Sequence, residues 1–340
     1  LKYFIKNKGF DLKNYRNVTD FETLEEVFTL KSELAGQCIE NTSIFSYGKN
    51  ENTLKQFSKI SGTSFYVGRD GIDFYPQELY MLTVDKELAI SKKRVFVKNY
   101  QNKKATHRIT ETTFPLETKY LYPLVRSVEI DRFHIKEHSF VVPFPYKDDN
   151  KRAPISLKDL TKESPLLANF FYQLKSVFSS KTDYNKKIIG EKHNKEFYAL
   201  TRVGEYTFGD YFVVFRKDTK WCSAVIGSIE TIWGETKTPR FQSHAVYISQ
   251  NIKGEFITLE EAHFFFFLFN APLTAEFITN SSDDRSYKVR PPIYIPKFDE
   301  KNTLHKELSE LSIKAHKQYA DKNEISKIDK RLNELVTKLK

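Results

Sequence analysis

Cysteine is almost absent from this chain of 340 residues: Cys38 and Cys222 are the only two. They are too few for a disulfide framework, and isolated cysteine is usually a small buried hydrophobe, which fits a reducing cytoplasm. Glycine is scarce as well, with 12 residues, and no two glycines are separated by a single residue. That spacing excludes the glycine-rich turn through which a backbone approaches S-adenosylmethionine, and the Walker phosphate loop is missing too. No apolar run approaches the ~20 residues that a membrane span requires. The longest, Ala262 to Asn270, contains His263 and reads as a buried helix. Methionine occurs once, as Met81, and the first residue is Leu1. From this we expect the carboxy-terminal part of a longer protein, or a processed chain. No charged-then-apolar leader opens it, so secretion is not expected.

What the chain does contain is aromatic mass and positive charge. Its 29 Phe and 19 Tyr, in a composition 40% hydrophobic, supply ample apolar area for burial, which excludes a disordered protein. The 54 Lys and Arg outnumber the 44 Asp and Glu, leaving a net charge of +10, the balance expected of a protein that neutralises phosphates. The length exceeds the usual size of one domain. We therefore expect two mixed lobes of an α+β fold, with mainly antiparallel sheets. Residues 1–146 would form the first, 147–300 a β-rich second, and 301–340 a helical tail, with Lys147 to Arg152 as the boundary.

Local signals place the elements. Thr19 and Glu22 stand at capping-box spacing and predict a short helix over Asp20 to Phe28. Strands are expected from Ile60 to about Tyr100, with Gly68 to Gly71 as a turn. Ser164 followed by Pro165 gives an N-cap and an N1 proline, and Leu167, Phe170, Leu174 and Val177 then share one helical face. Tyr211 to Arg216, Trp221 to Ile226 and Ala245 to Ile248 are rich in aromatic and β-branched residues, with Lys217 to Lys220 as a hairpin turn. Thr258 and Glu261 form a second capping box, opening a helix from Leu259 to Phe269 that Pro272 kinks or ends. Leu304, Leu308, Leu311 and Ala315, then Ile325, Ile328, Leu332, Leu335 and Leu339, predict two amphipathic helices around a turn near Asp321 to Asn323.

Catalytic signatures are weak. The one Pro-Pro pair, Pro291-Pro292, lies between Arg290 and Ile293. It therefore lacks the Asn, Asp or Ser before and the aromatic residue after it with which amino-methylating enzymes grip a flipped base. His134-Ile135-Lys136-Glu137-His138 matches an H-x-x-E-H zinc signature, but that chemistry needs a helix. Phe133 and Ile135 alternate with polar residues as in a strand or loop. Glu117-Thr118-Lys119 and Glu235-Thr236-Lys237 fit the E-x-K triplet of a magnesium-dependent nuclease, although neither follows a Pro-Asp.

Several short motifs, taken together and in order, resemble the target-recognition region of bacterial adenine-specific type II and type IIG restriction-modification methyltransferases. They are Gly71-Ile72-Asp73-Phe74-Tyr75-Pro76-Gln77-Glu78-Leu79, Tyr122 to Ser127 leading to Ile130-Asp131-Arg132-Phe133, and Pro143-Phe144-Pro145-Tyr146. Next come Phe197 to Phe208, Glu261-Ala262-His263 with Phe269-Asn270, and Ile295 to Asp299 running into Leu304-His305 and Leu308. The resemblance implies a module that docks on double-stranded DNA, fixes the sequence bound, and helps present an adenine for flipping. Methyl transfer and S-adenosylmethionine would then belong to a catalytic domain or subunit outside this chain. The motifs themselves would be mainly scaffold.

DNA contact requires cations for phosphates and forked donors for base edges. The candidates are Lys92, Lys93 and Arg94 with Lys98; Lys103, Lys104 and Arg108; Lys237, Arg240 and Gln242; Arg202; and Ser282, Arg285, Tyr287, Lys288 and Arg290, with Ser281 beside them. Two other classes of function stay open at this point. One is a magnesium-dependent restriction endonuclease acting through Glu117 or Glu235. The other is a basic protein-interaction subunit that assembles through its tail helices.

Overall fold

The computed structural model describes residues 2–6, 28–33, 35–39, 44–101, 109–137, 139–147, 151–179, 182–218, 220–282 and 289–340. The fold is α+β with two C-terminal helices. Its first sheet has four antiparallel strands in the order Ser223–Ile226, Phe212–Arg216, Ala245–Asn251 and Tyr66–Arg69. Val214 lies between Ala224 and Tyr247. Because side chains alternate along a strand, Val213 and Phe215 point to one core while Phe212 and Val214 point to another. The first core is filled by the helix Leu259–Asn270, whose residues from Phe264 to Leu268 are 0% exposed. A helix apolar all round must be buried all round. Its capping box forms as expected: Thr258 Oγ1 accepts from Glu261 N, and the Glu261 carboxylate accepts from Thr258 N. Pro272 opens a second helix, Pro272–Asn280.

The second sheet has six strands in the order Arg240–Phe241, Leu121–Val125, Phe140–Pro143, Leu82–Val84, Arg94–Asn99 and Thr113–Glu117. All pairings are antiparallel except the first. The helix Pro165–Gln173, with Ser164 as N-cap, packs beside Thr113–Glu117 and presents Leu167 and Phe170 to this core. Strands from distant parts of the sequence share each sheet: Tyr66–Arg69 joins strands beyond residue 211, and Arg240–Phe241 joins Leu121–Val125. The segment 71–73 ties the sheets together. Ile72 bridges to Gln242 and Asp73 to Thr201, and a Cβ on Gly71 would stand 2.1 Å from the Gln242 carbonyl oxygen.

Three sequence expectations are corrected. Gly68 lies inside the strand Tyr66–Arg69 rather than in a turn, because the chain at Val289 crosses so close that a Cβ there would stand 1.9 Å from its carbonyl oxygen. The glycine that resembled a turn residue serves a close backbone approach. Residues 60–100 are not strands alone, since a short helix, Gln77–Tyr80, interrupts them. Cys38 is exposed, while Cys222 is buried. The helix Glu51–Ile60, capped by Asn50 through Thr53 N, was not foreseen. The helix expected over Asp20 to Phe28 lies outside the described residues apart from Phe28, which opens the strand Phe28–Glu33.

The tail folds back onto its own chain. Its helices are Thr303–Lys317 and Lys322–Val336, and Leu308, Ala315, Leu332 and Leu335 are buried in the core around Leu259–Asn270. The turn falls slightly earlier than expected, because Asp321 already caps the second helix by accepting from Asn323 N and Glu324 N.

Candidate nucleic-acid interface

The motif residues form a hydrogen-bonded aromatic framework. Tyr80 Oη donates to the Tyr198 carbonyl at 2.7 Å, Tyr198 Oη donates to the Ile155 carbonyl at 2.6 Å, and Leu200 N donates to Tyr146 Oη at 2.8 Å. Phe144 stacks on Tyr146 with centroids 4.5 Å apart. Near the other core, Tyr66 Oη donates to Glu261 and accepts from Phe298 N, while the Arg132 guanidinium binds Asp329 and the Asn270 carbonyl. These side chains are occupied in holding the two sheets and the tail in place.

Two residues proposed to meet DNA are likewise occupied inside the protein. Arg240 is 4% exposed, with its guanidinium 4.3 Å from the Tyr122 ring and 4.7 Å from the Phe144 ring. Its Nη1 donates to the Thr207 carbonyl at 3.3 Å. It cements the six-stranded sheet to residues 207–208 and is not placed to read a base. Lys237 turns its ammonium onto the carbonyls of Thr118, Lys119 and Leu121. Burial pushes its pKa down, and Glu235 at 3.4 Å opposes that shift.

Both E-x-K triplets border one open depression of about 690 Å³, together with Lys92, Lys93 and Glu163. Their carboxylates, however, serve the fold. Glu117 accepts from Ser164 Oγ, Leu166 N and Leu167 N, and so caps the helix Pro165–Gln173. Glu235 accepts from Trp233 Nε1 at 2.8 Å. Glu163 is gripped by Lys119, Lys147 and Tyr120, which hold its pKa at about 2. Among the described residues no three His, Cys, Asp or Glu side chains converge as metal ligands would. His134 sits on a two-residue strand and stacks on Tyr319 at 4.1 Å, while His138 lies outside the described residues.

The other candidates are dispersed. Lys92 and Lys93 are exposed at the depression, and their carbonyls accept from Thr118 Oγ1 and N. Arg94 is exposed with its guanidinium over Phe96, and Lys98 pairs with Asp85 at 3.0 Å. Lys103, Lys104, Arg108, Arg285, Tyr287 and Lys288 lie outside the described residues. Ser281 and Ser282 are half-buried after the helix Pro272–Asn280, and Arg290 is exposed. Gln242 is half-buried on the seam between the sheets, one bridge away from Ile72.

The second surface is an arginine cluster of which the sequence singled out only Arg202. Arg69 places its guanidinium 5.0 Å from the centre of the Tyr206 ring. Arg69, Arg152 and Arg202 all act on Tyr206 by charge, opposing the upward pKa shift that its burial causes. Arg202 stands 3.9 Å from the Asp70 carboxylate, and Lys217 donates to the same group at 2.8 Å. The backbone beneath is fastened: Ser249 Oγ donates to the Tyr206 carbonyl, Gly204 N donates to Thr207 Oγ1, and Thr201 bridges to Asp73. Arg202 itself has φ 62°, a left-handed conformation unusual for a side-chain-bearing residue. Arg290 follows Val289, whose carbonyl lies against Gly68 next to Arg69. The advance signals were Arg202, inside a resembling motif, and Arg290, at the end of the candidate group that begins at Ser282.

Comparison of the chain with protein-family models and with curated proteins gives no match in either. Among the described residues no helix is long and apolar enough to cross a membrane.

Proposed function

We propose that this chain is a sequence-specific duplex-DNA recognition module: the target-recognition region of a bacterial adenine-specific restriction-modification methyltransferase, working in the cytoplasm. The observation that carries this reading is the arginine cluster at Tyr206. Arg69, with its guanidinium at the Tyr206 ring, and Arg202, paired with Asp70 one residue on from Arg69, come from separate parts of the chain, and Arg152 acts on Tyr206 by charge, on backbone fastened to the four-stranded sheet through Ser249. Arginine is the side chain suited to this task, because its planar fork of donors matches both a phosphate and the O6/N7 edge of guanine. The net charge of +10 supplies the long-range attraction. The occupied motif residues agree with a scaffold role, leaving recognition to side chains on the connections between strands.

Methyl transfer falls to a catalytic domain or subunit. The chain has no glycine pair at the spacing of a cofactor turn, so S-adenosylmethionine is assigned to that partner. The nuclease reading loses its motif residues, since Glu117 and Glu235 are committed to a helix cap and an indole. The assembly reading is weakened by the tail, whose apolar residues already pack on this chain.

Selection from a randomised duplex pool tests the proposal, with the winning and a scrambled duplex then titrated across salt concentrations. A sharp consensus is expected, with affinity falling steeply as salt rises. Absence of binding even at low salt overturns it.

A further inference from the structure

Asp70 lies between the last residue of the strand Tyr66–Arg69 and Gly71, where the chain leaves one sheet for the other. It is half-buried, and among the described residues it is the carboxylate that forms ion pairs both with a member of the arginine cluster, Arg202, and with Lys217. A cluster selected only for holding phosphate gains nothing from an anion at its centre, because each nearby negative charge repels the backbone it must bind. Three features show that the anion is built in. Lys217 reaches it from the end of the strand Phe212–Arg216 at 2.8 Å. Arg202 stands 3.9 Å from its other oxygen, on a backbone in the left-handed region with neighbouring bonds on either side. Gly71, the next residue, passes close to the Gln242 carbonyl, and Ile72 N donates to the Phe241 carbonyl at 2.7 Å, so the backbone following Asp70 is tied to the second sheet.

We infer that Asp70 is the specificity device of the DNA-reading surface: it orients the Arg202 fork toward one base edge and penalises indiscriminate phosphate binding. This rests on the proposed DNA recognition and assigns a role within it. Two physical effects are combined. A carboxylate beside a guanidinium limits the rotamers from which its fork can be presented, and a fixed fork discriminates better than a free one. The same carboxylate places a repulsive element against ligands that offer charge without the right edge, which is how specificity is gained at the expense of general affinity. Asp70 is thus a positioning residue, with Arg202 as the group that touches the base.

The role has a signature that a merely structural residue lacks, because the two duplexes should respond in opposite senses. Asp70→Asn keeps the side-chain shape and removes the charge. The selected duplex and a scrambled one are titrated against the wild-type chain, Asp70→Asn and Arg202→Gly at several salt concentrations, with thermal unfolding as the control for folding. For Asp70→Asn the scrambled duplex is expected to bind several-fold tighter, while discrimination falls about tenfold, the size of one directed base contact. For Arg202→Gly, which suits the left-handed backbone, the selected duplex is expected to lose about tenfold and the scrambled one far less. An unchanged ratio of the two affinities in Asp70→Asn overturns the role. So does an equal loss on both duplexes in Arg202→Gly, which decides the matter alone should Asp70→Asn not fold. If the wild-type chain binds neither duplex, the DNA-reading proposal itself falls, and this role with it.

Discussion

Arg202 shows how a single residue can combine conformational cost with placement. A non-glycine residue at φ 62° carries a cost of about 1 kcal/mol or more, and such residues persist where surrounding bonds over-determine them. Arg202→Gly should therefore leave the thermal midpoint unchanged or raise it, whereas a residue needed for packing would lower it. Glu117 makes the contrasting case. Its carboxylate closes the open end of the helix Pro165–Gln173 through two backbone N–H groups and Ser164 Oγ. Glu117→Ala is expected to cost about 1–2 kcal/mol in a denaturant titration, the usual size of a lost cap, and to leave DNA affinity intact. A nuclease acting through Glu117 would instead lose metal-dependent cleavage with little loss of stability, so the two readings separate in one variant.

At the scale of elements, the tail helix Thr303–Lys317 is attached to the body through neutral histidines. His316 Nδ1–H donates to the Ser312 carbonyl, and its Nε2 accepts the backbone N–H of Val225 at 3.1 Å. His263 Nδ1 lies 2.8 Å from Ser312 Oγ, with its ring 4.9 Å from that of His316. His305 Nδ1 accepts from Asp299 N. Burial is the main cause holding all three below the usual histidine value, His263 at about 4, and for His316 the nearby His134 acts in the same sense. The unfolded chain therefore binds more protons between pH 6.5 and about 4, so stability is full above 6.5 and falls as the pH drops through that window. For His263 alone the full shift corresponds to about 3 kcal/mol. Thermal midpoints measured from pH 7 to 4 should fall accordingly, and His263→Leu should flatten the curve; an equal slope in that variant would count against the assignment. This attachment was not legible in the sequence. The helices that start after Ser164 and Thr258, the Phe212–Ile226 hairpin and the paired tail helices were, because their signals lie within a few residues of one another. Asp70 and Lys217 stand apart in sequence, and they are brought together because Tyr66–Arg69 and Phe212–Arg216 both pair with Ala245–Asn251. The commitment of Glu117 was hidden for the opposite reason: residue order cannot show that its carboxylate already has three donors.

For the whole molecule, the salt dependence of the proposed DNA binding would report how many phosphates are neutralised. If Arg69, Arg152 and Lys217 each contact one, changing all three to Ala should reduce the slope of log affinity against log salt by about 0.9 per contact, nearly 3 in all. Lys92→Glu with Lys93→Glu applies the same measurement to the depression, where both ammoniums are exposed. A reduced slope there would mean that DNA spans both surfaces, whereas an unchanged slope would confine it to the arginine cluster. The strand Ser223–Ile226 has a consequence of another kind. It ends its sheet, and its outward backbone groups are covered by Phe133 N on the Ser223 carbonyl and by His316 on Val225 N. The helix bearing His316 is thus also a guard against aggregation. Produced without residues 303–340, the chain would offer Val225 N–H as a template for strand addition by another copy, and loss of solubility would come before any loss of DNA affinity could be measured.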